Sequence, residues 1–420
     1  GDSLEATLSA DIDRAGEAGR FSATVGPYAI GGGALPPINF SSRDLPTGLV
    51  AALARLDPFY IDLVGERIDS ANISVTQLEG RSDVFDITAR LRSPGVRSDL
   101  QARYDPTVGM TLGEQAFIEL TVTQAIVSGL LPADSDSPLD AWSLEDPAAI
   151  ELRAPGAVIA LARRGDTTRF DPRRSNIDAR LSSDAIALRG DKGKTVRIRN
   201  LQGSLKAEDL TARLLLDLGA EVELDGRPPT DLSMDGNVRE LFAADGTLQP
   251  TEAQGQVIAK VLRLPIAAVE DLIDRPGEIT VYTGQDLQYG EVVLRSKAGE
   301  GWDVILDVKS DHLAAKLPLE FFPDKHIRLT EKVSANLTLH PRTLTELRRR
   351  ADGDTAALAY DLLEPAEFAL TLSRLTLPLR RDENGARTPE LERAVLRAEL
   401  TSESVTVERR DPRSRAGAAN

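Results

Sequence analysis

The chain has 420 residues, room for two to four domains or one long repeat array. It carries 50 Lys+Arg against 66 Asp+Glu, a net charge of −16, which argues against a general nucleic-acid binder, since that needs a basic face. There is no Cys, so disulfides, thiol catalysis and thiolate metal sites are excluded, while either redox compartment stays open.

Hydrophobic residues at 41% supply a core, and aromatics at only 4% leave it to Leu, Val, Ile and Ala. No run approaches the roughly 18 apolar residues of a membrane span. The longest stretches, such as Leu49 to Ala54 and Ala157 to Ala162, are one helix turn or one strand long. Gly1-Asp2-Ser3 has neither an initiator Met nor a signal sequence, which predicts a mature chain or an excised piece.

In chain order, Gly31-Gly32-Gly33 with Pro36-Pro37 reads as a flexible loop; no Gly-Lys-Ser/Thr follows to cradle a phosphate. Leu49 to Val64 sets apolar residues at 49, 50, 53, 56, 60, 61 and 64, the pattern of an amphipathic helix. Asp44 is its candidate cap, Pro46 suits its first turn, and Pro58 breaks or kinks it. Strands follow at Ile73-Ser74-Val75, Val84 to Leu91, Leu100 to Tyr104 and Ala116 to Val122, then a helical segment at about 124–142.

After the loop Gly226-Arg227-Pro228-Pro229 the order recurs. A helix is expected over Gln256 to Ile273, with Pro265 in the place of Pro58. Strands are expected at Ile279-Thr280-Val281, Val292 to Leu294, Val304 to Val308, Leu313 to Leu317 and Val333 to Leu339. A helical segment at about 342–363 and alternating strands, including Phe368 to Leu372 and Leu375 to Leu379, close the chain.

This recurrence predicts an internal duplication. Pro147 to Leu152 matches Pro365 to Leu370, and Ala179 to Ile186 matches Ala398 to Val405. Leu112, Glu114, Ile118, Leu120, Thr121 and Val122 match Leu329, Glu331, Ala335, Leu337, Thr338 and Leu339. Leu49, Val50, Ala51, Leu53, Arg55 and Leu56 are set on Val257, Ile258, Ala259, Val261, Arg263 and Leu264, and Leu8 to Asp13 on Leu218 to Glu223. The offset moves from 210 through 208 to 217, 218 and 219. The predicted fold class is therefore α+β: a tandem duplication of a mostly antiparallel, curved β-sheet unit with two short helices per unit. Unit 1 takes residues 1–193, its start truncated, unit 2 takes 194–410, and 411–420 form a disordered tail.

No catalytic or metal constellation emerges, and no cofactor is expected. His312, His326 and His340 lack the short spacing of a helical metal pair and read as surface or incidental residues. No Gly-x-Ser-x-Gly elbow accompanies them. Asp134-Ser135-Asp136 with Asp140 has the hard oxygens that calcium takes, without the Gly and closing Glu of the known loop, and reads as a solvated acidic loop. Arg342 with Arg348-Arg349-Arg350 reads as a solvated helix face, the alternative being a phosphate or headgroup contact. The tail Arg409-Arg410-Asp411-Pro412-Arg413-Ser414-Arg415 reads as disordered.

Amphipathic strands such as Ile73-Ser74-Val75, Ile186-Ala187-Leu188 and Leu375-Thr376-Leu377, aliphatic-rich and aromatic-poor, resemble the AsmA-like bacterial envelope proteins. Two helices per unit and a whole-length duplication look more like tubular lipid-binding domains. Both resemblances imply a groove of curved sheet that binds lipid acyl chains, and the first implies a periplasmic, cell-envelope position. The residues expected to line it are Ile73, Val75, Ile118, Leu120, Val122, Ile186, Leu188, Leu337, Leu339, Leu375 and Leu377. Phospholipid or fatty acyl chains, preceding repeats of a longer chain or other subunits are the expected partners. The competing reading is a structural or assembly scaffold without a small ligand. A clamp-like ring would need Lys and Arg on its helices, and only the last helical segment is basic.

Overall fold

The computed structural model describes residues 3–14, 17–29, 35–54, 59–130, 142–164, 167–190, 193–225, 227–243, 254–272, 277, 279–297, 301–322, 325–341, 343, 360–381 and 387–409. The chain divides into two compact units, Gly1–Pro229 with Asp235–Ala253, and Thr230–Met234 with Gln254–Asn420. Strands hold 68% of the described residues and helices 10%, a β-rich, antiparallel α+β fold.

The first unit opens with β1 (Ser3–Arg14), β2 (Glu17–Ala29) and β3 (Ile38–Pro46), followed by α1 (Thr47–Ala54) and α2 (Phe59–Val64). Next come β4 (Arg67–Gln77), β5 (Phe85–Arg92), β6 (Val96–Asp105), β7 (Gly109–Leu112), β8 (Phe117–Val122) and α3 (Gln124–Leu130). The short β9 (Trp142–Leu144), β10 (Ala148–Arg153), β11 (Val158–Ile159), β12 (Leu161–Arg164) and β13 (Thr167–Phe170) precede three long strands. Those are β14 (Ile177–Gly190), β15 (Thr195–Ala207) and β16 (Leu214–Leu224); the residues of β17 (Thr230–Arg239) are shared between the units.

The second unit runs β18 (Gln254–Pro265), α4 (Ile266–Leu272), α5 (Thr280–Thr283), β19 (Asp286–Lys297), β20 (Gly301–Ser310) and β21 (Leu313–Phe322). It continues with β22 (His326–Leu329), β23 (Val333–Leu339), β24 (Tyr360–Leu362), β25 (Ala366–Arg381), β26 (Arg387–Pro389), β27 (Val395–Thr401) and β28 (Val407–Arg409).

Each unit is an antiparallel meander. In the first, β1 to β6 pair in sequence, β6 splits between β7 and β8, and β8 leads through β10 and β14 to β15 and β16. In the second, β18 to β21 pair in sequence, β21 splits between β22 and β23, and both meet β25, which carries β27.

The same backbone hydrogen bonds recur in both. Thr47 N–H donates to Glu66 O and Ile266 N–H to Gln285 O, each residue 219 positions from its counterpart. Thr121 donates to Gly95 O and Thr338 to His312 O, 217 positions on. Gly113 donates to Gln101 O and Thr330 to Pro318 O, again 217 apart. The turns into β6 and β21 are both closed by a serine: Ser93 Oγ accepts from Val96 N–H, and Ser310 Oγ from Leu313 N–H. Helix ends agree as well. Gly65 at φ +92° donates to Ile61 O after α2, and Gly284 at φ +85° to Thr280 O after α5, the left-handed stop that glycine adopts without strain.

Several expectations are corrected. Residues 254–265 of the expected helix Gln256–Ile273 form β18, and only 266–272 are helical. Ile279-Thr280-Val281 is not a strand, because Thr280 opens α5. Pairing Leu49–Leu56 with Val257–Leu264 sets a helix on a strand; the hydrogen bonds align Thr47 with Ile266, so Pro265 matches Pro46 rather than Pro58. The single helix Leu49–Val64 is two, α1 and α2. Trp142 and residues 360–362 lie in strands, and Arg409, assigned to the tail, ends β28. Pro58, Gly31 to Gly33, Gly226, the Asp134 to Asp140 loop, Arg342, Arg348 to Arg350 and residues 410–420 lie outside the described residues.

A core cluster of Leu45, Ile68 and Ala71 sits under the first helix pair, with Phe40, Leu49, Val50, Val64 and Leu91 packed around it. Burying a side chain of this size contributes about 1.5–3 kcal/mol, so the cluster is what holds α1 and α2 on the sheet.

Candidate ligand-binding face

Register decides which side chains share a face, because directly paired residues in an antiparallel sheet point the same way. In the first unit Leu8 pairs with Ala23, Ala23 with Phe40, Phe40 with Ile73, Ile73 with Ala89, and Ala89 with Leu100. The row beside it runs Ala6, Val25, Ile38, Val75, Ile87 and Ala102. The same side passes to Val96, Leu120, Ile150 and to Ile118, Leu152, Leu181.

Further on, Leu181 pairs with Gly203 and Gly203 with Leu218, while Ile186 pairs with Ile198 and Ile198 with Val222. The β15–β16 register shifts between Arg199 and Gln202. This bulge changes the parity of β15 so that its apolar residues stay on the side of Leu214, Leu216, Leu218, Val222 and Leu224. At these paired positions the face carries no charge from β1 to β16.

The opposite side is polar. Arg20, Asn39, Ser41, Ser74, Thr88, Arg90, Asp99, Gln101 and Arg103 occupy the alternate positions. Cross-strand pairs Arg20–Asp11 at 2.6 Å, Arg90–Asp99 at 3.0 Å and Arg103–Asp86 at 2.7 Å lace it. Exposed pairs of this kind contribute at most about 1 kcal/mol each, so their effect is to keep this side in water rather than to hold the sheet together.

The second unit repeats the arrangement. Val261, Gly290, Val308 and Ala315 form one row; Ala259, Val292, Leu306 and Leu317 another; and Val257, Leu294, Val304 and Leu319 a third. Leu313, Leu337 and Phe368, then Ala335, Leu370 and Leu400, continue the side. A register shift between Leu372 and Arg374 moves the apolar side of β25 to Leu375 and Leu377, and Leu377 pairs with Ile327. Its other side differs from the first unit at one row. Ile258, Val293, Ile305 and Pro318 pair across four strands where the first unit has Asn39, Ser74, Thr88 and Gln101.

Among the described residues, α1 and α2 cover one end of the apolar face of the first unit. Leu45 and Ile68 are buried beneath α1 and α2. Along the same strands Ile73 is 41% exposed and Ile38 48%, and at the edge Leu8 is 64% exposed. Hydrophobic side chains of this size normally anchor a core. Here most of them are half-buried, each packed sideways on its neighbours with its outer surface in water.

All eleven residues expected to line a groove lie on these apolar sides. Ile73 and Val75 are in β4, Ile118, Leu120 and Val122 in β8, and Ile186 and Leu188 in β14 of the first unit. Leu337 and Leu339 are in β23, and Leu375 and Leu377 in β25, of the second. Ile73 is exposed and the other ten are half-buried. Sequence reasoning missed the β2 and β16 rows, Phe21–Ala23–Val25 and Leu214–Leu224, whose period-two alternation, interrupted in β16 at Leu215 and Gly219-Ala220, is the signal that finds them.

Titratable groups lie at the margins. Glu270 of α4 is buried and accepts backbone N–H bonds from Gly277 at 2.8 Å, Ile279 at 2.6 Å and Thr280 at 2.5 Å. Burial pushes its pKa up, and the N–H donors, Thr280 first, outweigh that and hold it below the ordinary value. His312 stacks on His340 with ring centroids 4.2 Å apart, and its Nδ1 is buried without a hydrogen-bond partner. Burial, then the neighbouring His340, lowers its pKa, against an opposing pull from Asp311. His326 packs on Phe322 at 5.0 Å. The three histidines are thus half-buried packing residues rather than surface ones.

Among the described residues no group of three or more His, Asp or Glu converges as a metal site, and no helix is long and apolar enough to cross a membrane. A depression of about 660 Å³ at the ends of β14 to β16 is lined by Ile177, Asp178, Lys206, Asp209 and Leu215, a charged and apolar mixture distinct from the apolar face. Comparison with protein-family models, with curated proteins and with solved structures finds no match.

Proposed function

We propose that the apolar side of each sheet binds aliphatic chains of the kind carried by phospholipids and fatty acids, and that the protein works as a non-catalytic carrier or conduit in a cell envelope. One observation carries the reading. Leu, Ile, Val, Ala and Phe side chains follow one another across the strands of each unit with no charged residue among them at the paired positions, and much of that side stands open. A lining without hydrogen-bond donors discriminates little beyond apolar surface, which suits chains of varying length and unsaturation. The recurrence of the same hydrogen bonds 217–219 residues apart supports a second proposal, that the two units are copies of one.

The rival reading, a structural scaffold whose sheet buries itself on helices or on a neighbour, draws on Leu45, Ile68 and Ala71, which α1 and α2 already cover. Gentle purification, organic extraction and mass spectrometry separate the two. Near-stoichiometric phospholipid or fatty acid is the expected result. A clean extract, with no uptake of a fluorescent fatty acid by the purified chain, overturns the carrier reading in favour of the scaffold.

A further inference from the structure

We infer that Arg43, Arg92 and Arg97, on the polar side of the first unit, form with Ser70 a binding site for a phosphate-type oxyanion. Register brings them together. Arg43 pairs with Ser70, Ser70 with Arg92 and Arg92 with Arg97, so the four side chains follow one another across β3 to β6 on one side of the sheet. The three arginines are exposed and Ser70 between them is half-buried, a short hydroxyl floor flanked by longer cationic walls. Two strand spacings, roughly 10 Å, separate the Cα atoms of Arg43 and Arg92, while Arg92 and Arg97 are direct neighbours.

The charge pattern here departs from the rest of that side. In the neighbouring rows cations are matched across strands, Arg90 with Asp99 at 3.0 Å and Arg103 with Asp86 at 2.7 Å. Arg92 faces Arg97 instead, and directly opposed like charges destabilise a sheet. Arg43 faces Arg20, which Asp11 already holds at 2.6 Å. Among the described residues no carboxylate oxygen lies within 4.0 Å of the guanidinium nitrogens of Arg43, Arg92 or Arg97. Glu119 pairs with Arg97 but stays beyond that distance, and Glu151 beside it is bonded to Arg153 at 2.5 Å. Arg97 rests over the Phe117 ring, 5.7 Å from its centroid, which steadies its guanidinium. A bound anion would offset the repulsion within this group.

Two further observations point to a ligand. A depression of about 480 Å³ opens beside the turn between β5 and β6, with Arg92, Arg97, Glu119 and Thr121 among its walls. The fold itself does not require the arginines. At 217–219 positions further on, the corresponding row reads Leu262, Tyr289, Lys309 and Ala314, paired in the same order. Guanidinium forks take oxyanion oxygens two at a time, and a serine hydroxyl donates one bond more, which suits a tetrahedral phosphate. The site lies opposite the apolar side, so it stands or falls independently of acyl-chain binding.

Thermal unfolding in inorganic phosphate against chloride, at matched ionic strength, reads the site, since an anion bound only by the folded chain raises its melting temperature. Phosphate should stabilise the parent chain, and Arg92→Gln should lose most of that gain. In chloride, Arg92→Gln should melt no lower than the parent, because it removes a like-charge pair. Arg103→Gln, taken from an arginine already matched by Asp86, should keep the phosphate effect. In calorimetric titration with phosphate, Arg43→Gln and Arg92→Gln should each weaken binding about tenfold or more. Co-sedimentation with phosphatidylglycerol–phosphatidylcholine vesicles identifies the source of the anion. Retention that Arg92→Gln abolishes makes it a lipid headgroup; retention absent or unchanged in Arg92→Gln, with phosphate still bound, makes it a soluble phosphate compound. Equal melting of the parent in phosphate and chloride, or an Arg103→Gln as impaired as Arg92→Gln, overturns the inference.

Discussion

Asp44 and Arg263, 219 positions apart, both hold the left-handed backbone conformation, at φ 53° and 57°. Each sits three residues before the first residue of the helix that leaves β3 or β18, and each is followed by Leu-Pro. The left-handed residue shifts the alternation, so that Leu45, like Ser42 before it, faces the apolar side, where it is buried against Ile68. A non-glycine residue in this region costs about 1–2 kcal/mol, and Asp tolerates it better than Arg.

Arg263→Gly should therefore stabilise the second unit by up to about 1 kcal/mol, even though it removes the exposed Arg263–Asp231 pair at 3.1 Å. Arg263→Val should destabilise it by about 1–2 kcal/mol, since a β-branched residue fits the left-handed region worst. Urea unfolding of the two variants checks the signs. A destabilising Arg263→Gly would mean that the ion pair outweighs the backbone strain.

Ser93 and Ser310 lead to a comparison between the units. Each hydroxyl accepts from the N–H three residues on and donates back to that residue's carbonyl, at 3.0 and 3.1 Å in the first unit and 3.1 and 3.2 Å in the second. Ser93→Ala and Ser310→Ala should each cost about 0.5–2 kcal/mol, and by closely similar amounts. Unfolding free energies that differ by more than about 1 kcal/mol would count against the units being copies.

The polar and apolar sides of several strands were legible in the sequence because a strand alternates with a period of two, as Leu375, Leu377 and Leu379 do. The strand β18 was not. With Val257, Ile258, Ala259, Val261, Leu262 and Leu264 it is apolar on both sides, and a near-continuous apolar run reads equally as helix. What fixes it as a strand is its partner, since Ile258 pairs with Val293 on the side that is polar in the first unit. The same ambiguity misled the repeat alignment there, where aliphatic similarity set a helix on a strand. The shared Leu-Pro dipeptides, Leu45-Pro46 and Leu264-Pro265, are the sounder anchor. The turn of helix at Thr280–Thr283 was hidden for another reason: Thr, Val and Tyr favour strands, and three N–H bonds to Glu270 fix the start of α5 from outside its own sequence.

Glu270 therefore makes a pH-dependent contribution. Its folded pKa lies below the ordinary value of 4.5, so the carboxylate stabilises the second unit fully above that value and loses the effect as the pH falls through the lower folded pKa. Glu270→Gln keeps the shape but not the charge, and should cost about 1.5–3 kcal/mol at pH 7. The gap between parent and variant should narrow as the pH drops from 5 toward 3, measured by urea unfolding at each pH. A gap that stays constant with pH would remove the charge from the account and leave only shape.

Ile68 and Ile73 lie five residues apart in β4 on the same apolar side, one 8% exposed beneath the helices and the other 41% exposed in the open. This contrast separates binding from folding. Ile68→Ala should destabilise the first unit by about 2–4 kcal/mol, because it leaves a void in a packed cluster. Once folded, it should take up a fluorescent fatty acid about as well as the parent chain. Ile73→Asp removes less buried area and leaves no void, and should cost about 1–2 kcal/mol. It does place a charge where an acyl chain would lie, and desolvating that charge should weaken fatty-acid uptake about tenfold or more. Leu337→Asp on the half-buried side of β23 should act likewise in the second unit, with a larger loss of stability. Equilibrium binding at pH 7 paired with urea unfolding on all three variants reads both quantities. If Ile73→Asp binds as tightly as the parent while Ile68→Ala does not, the chain occupies the space under the helices, and the open side has some other use.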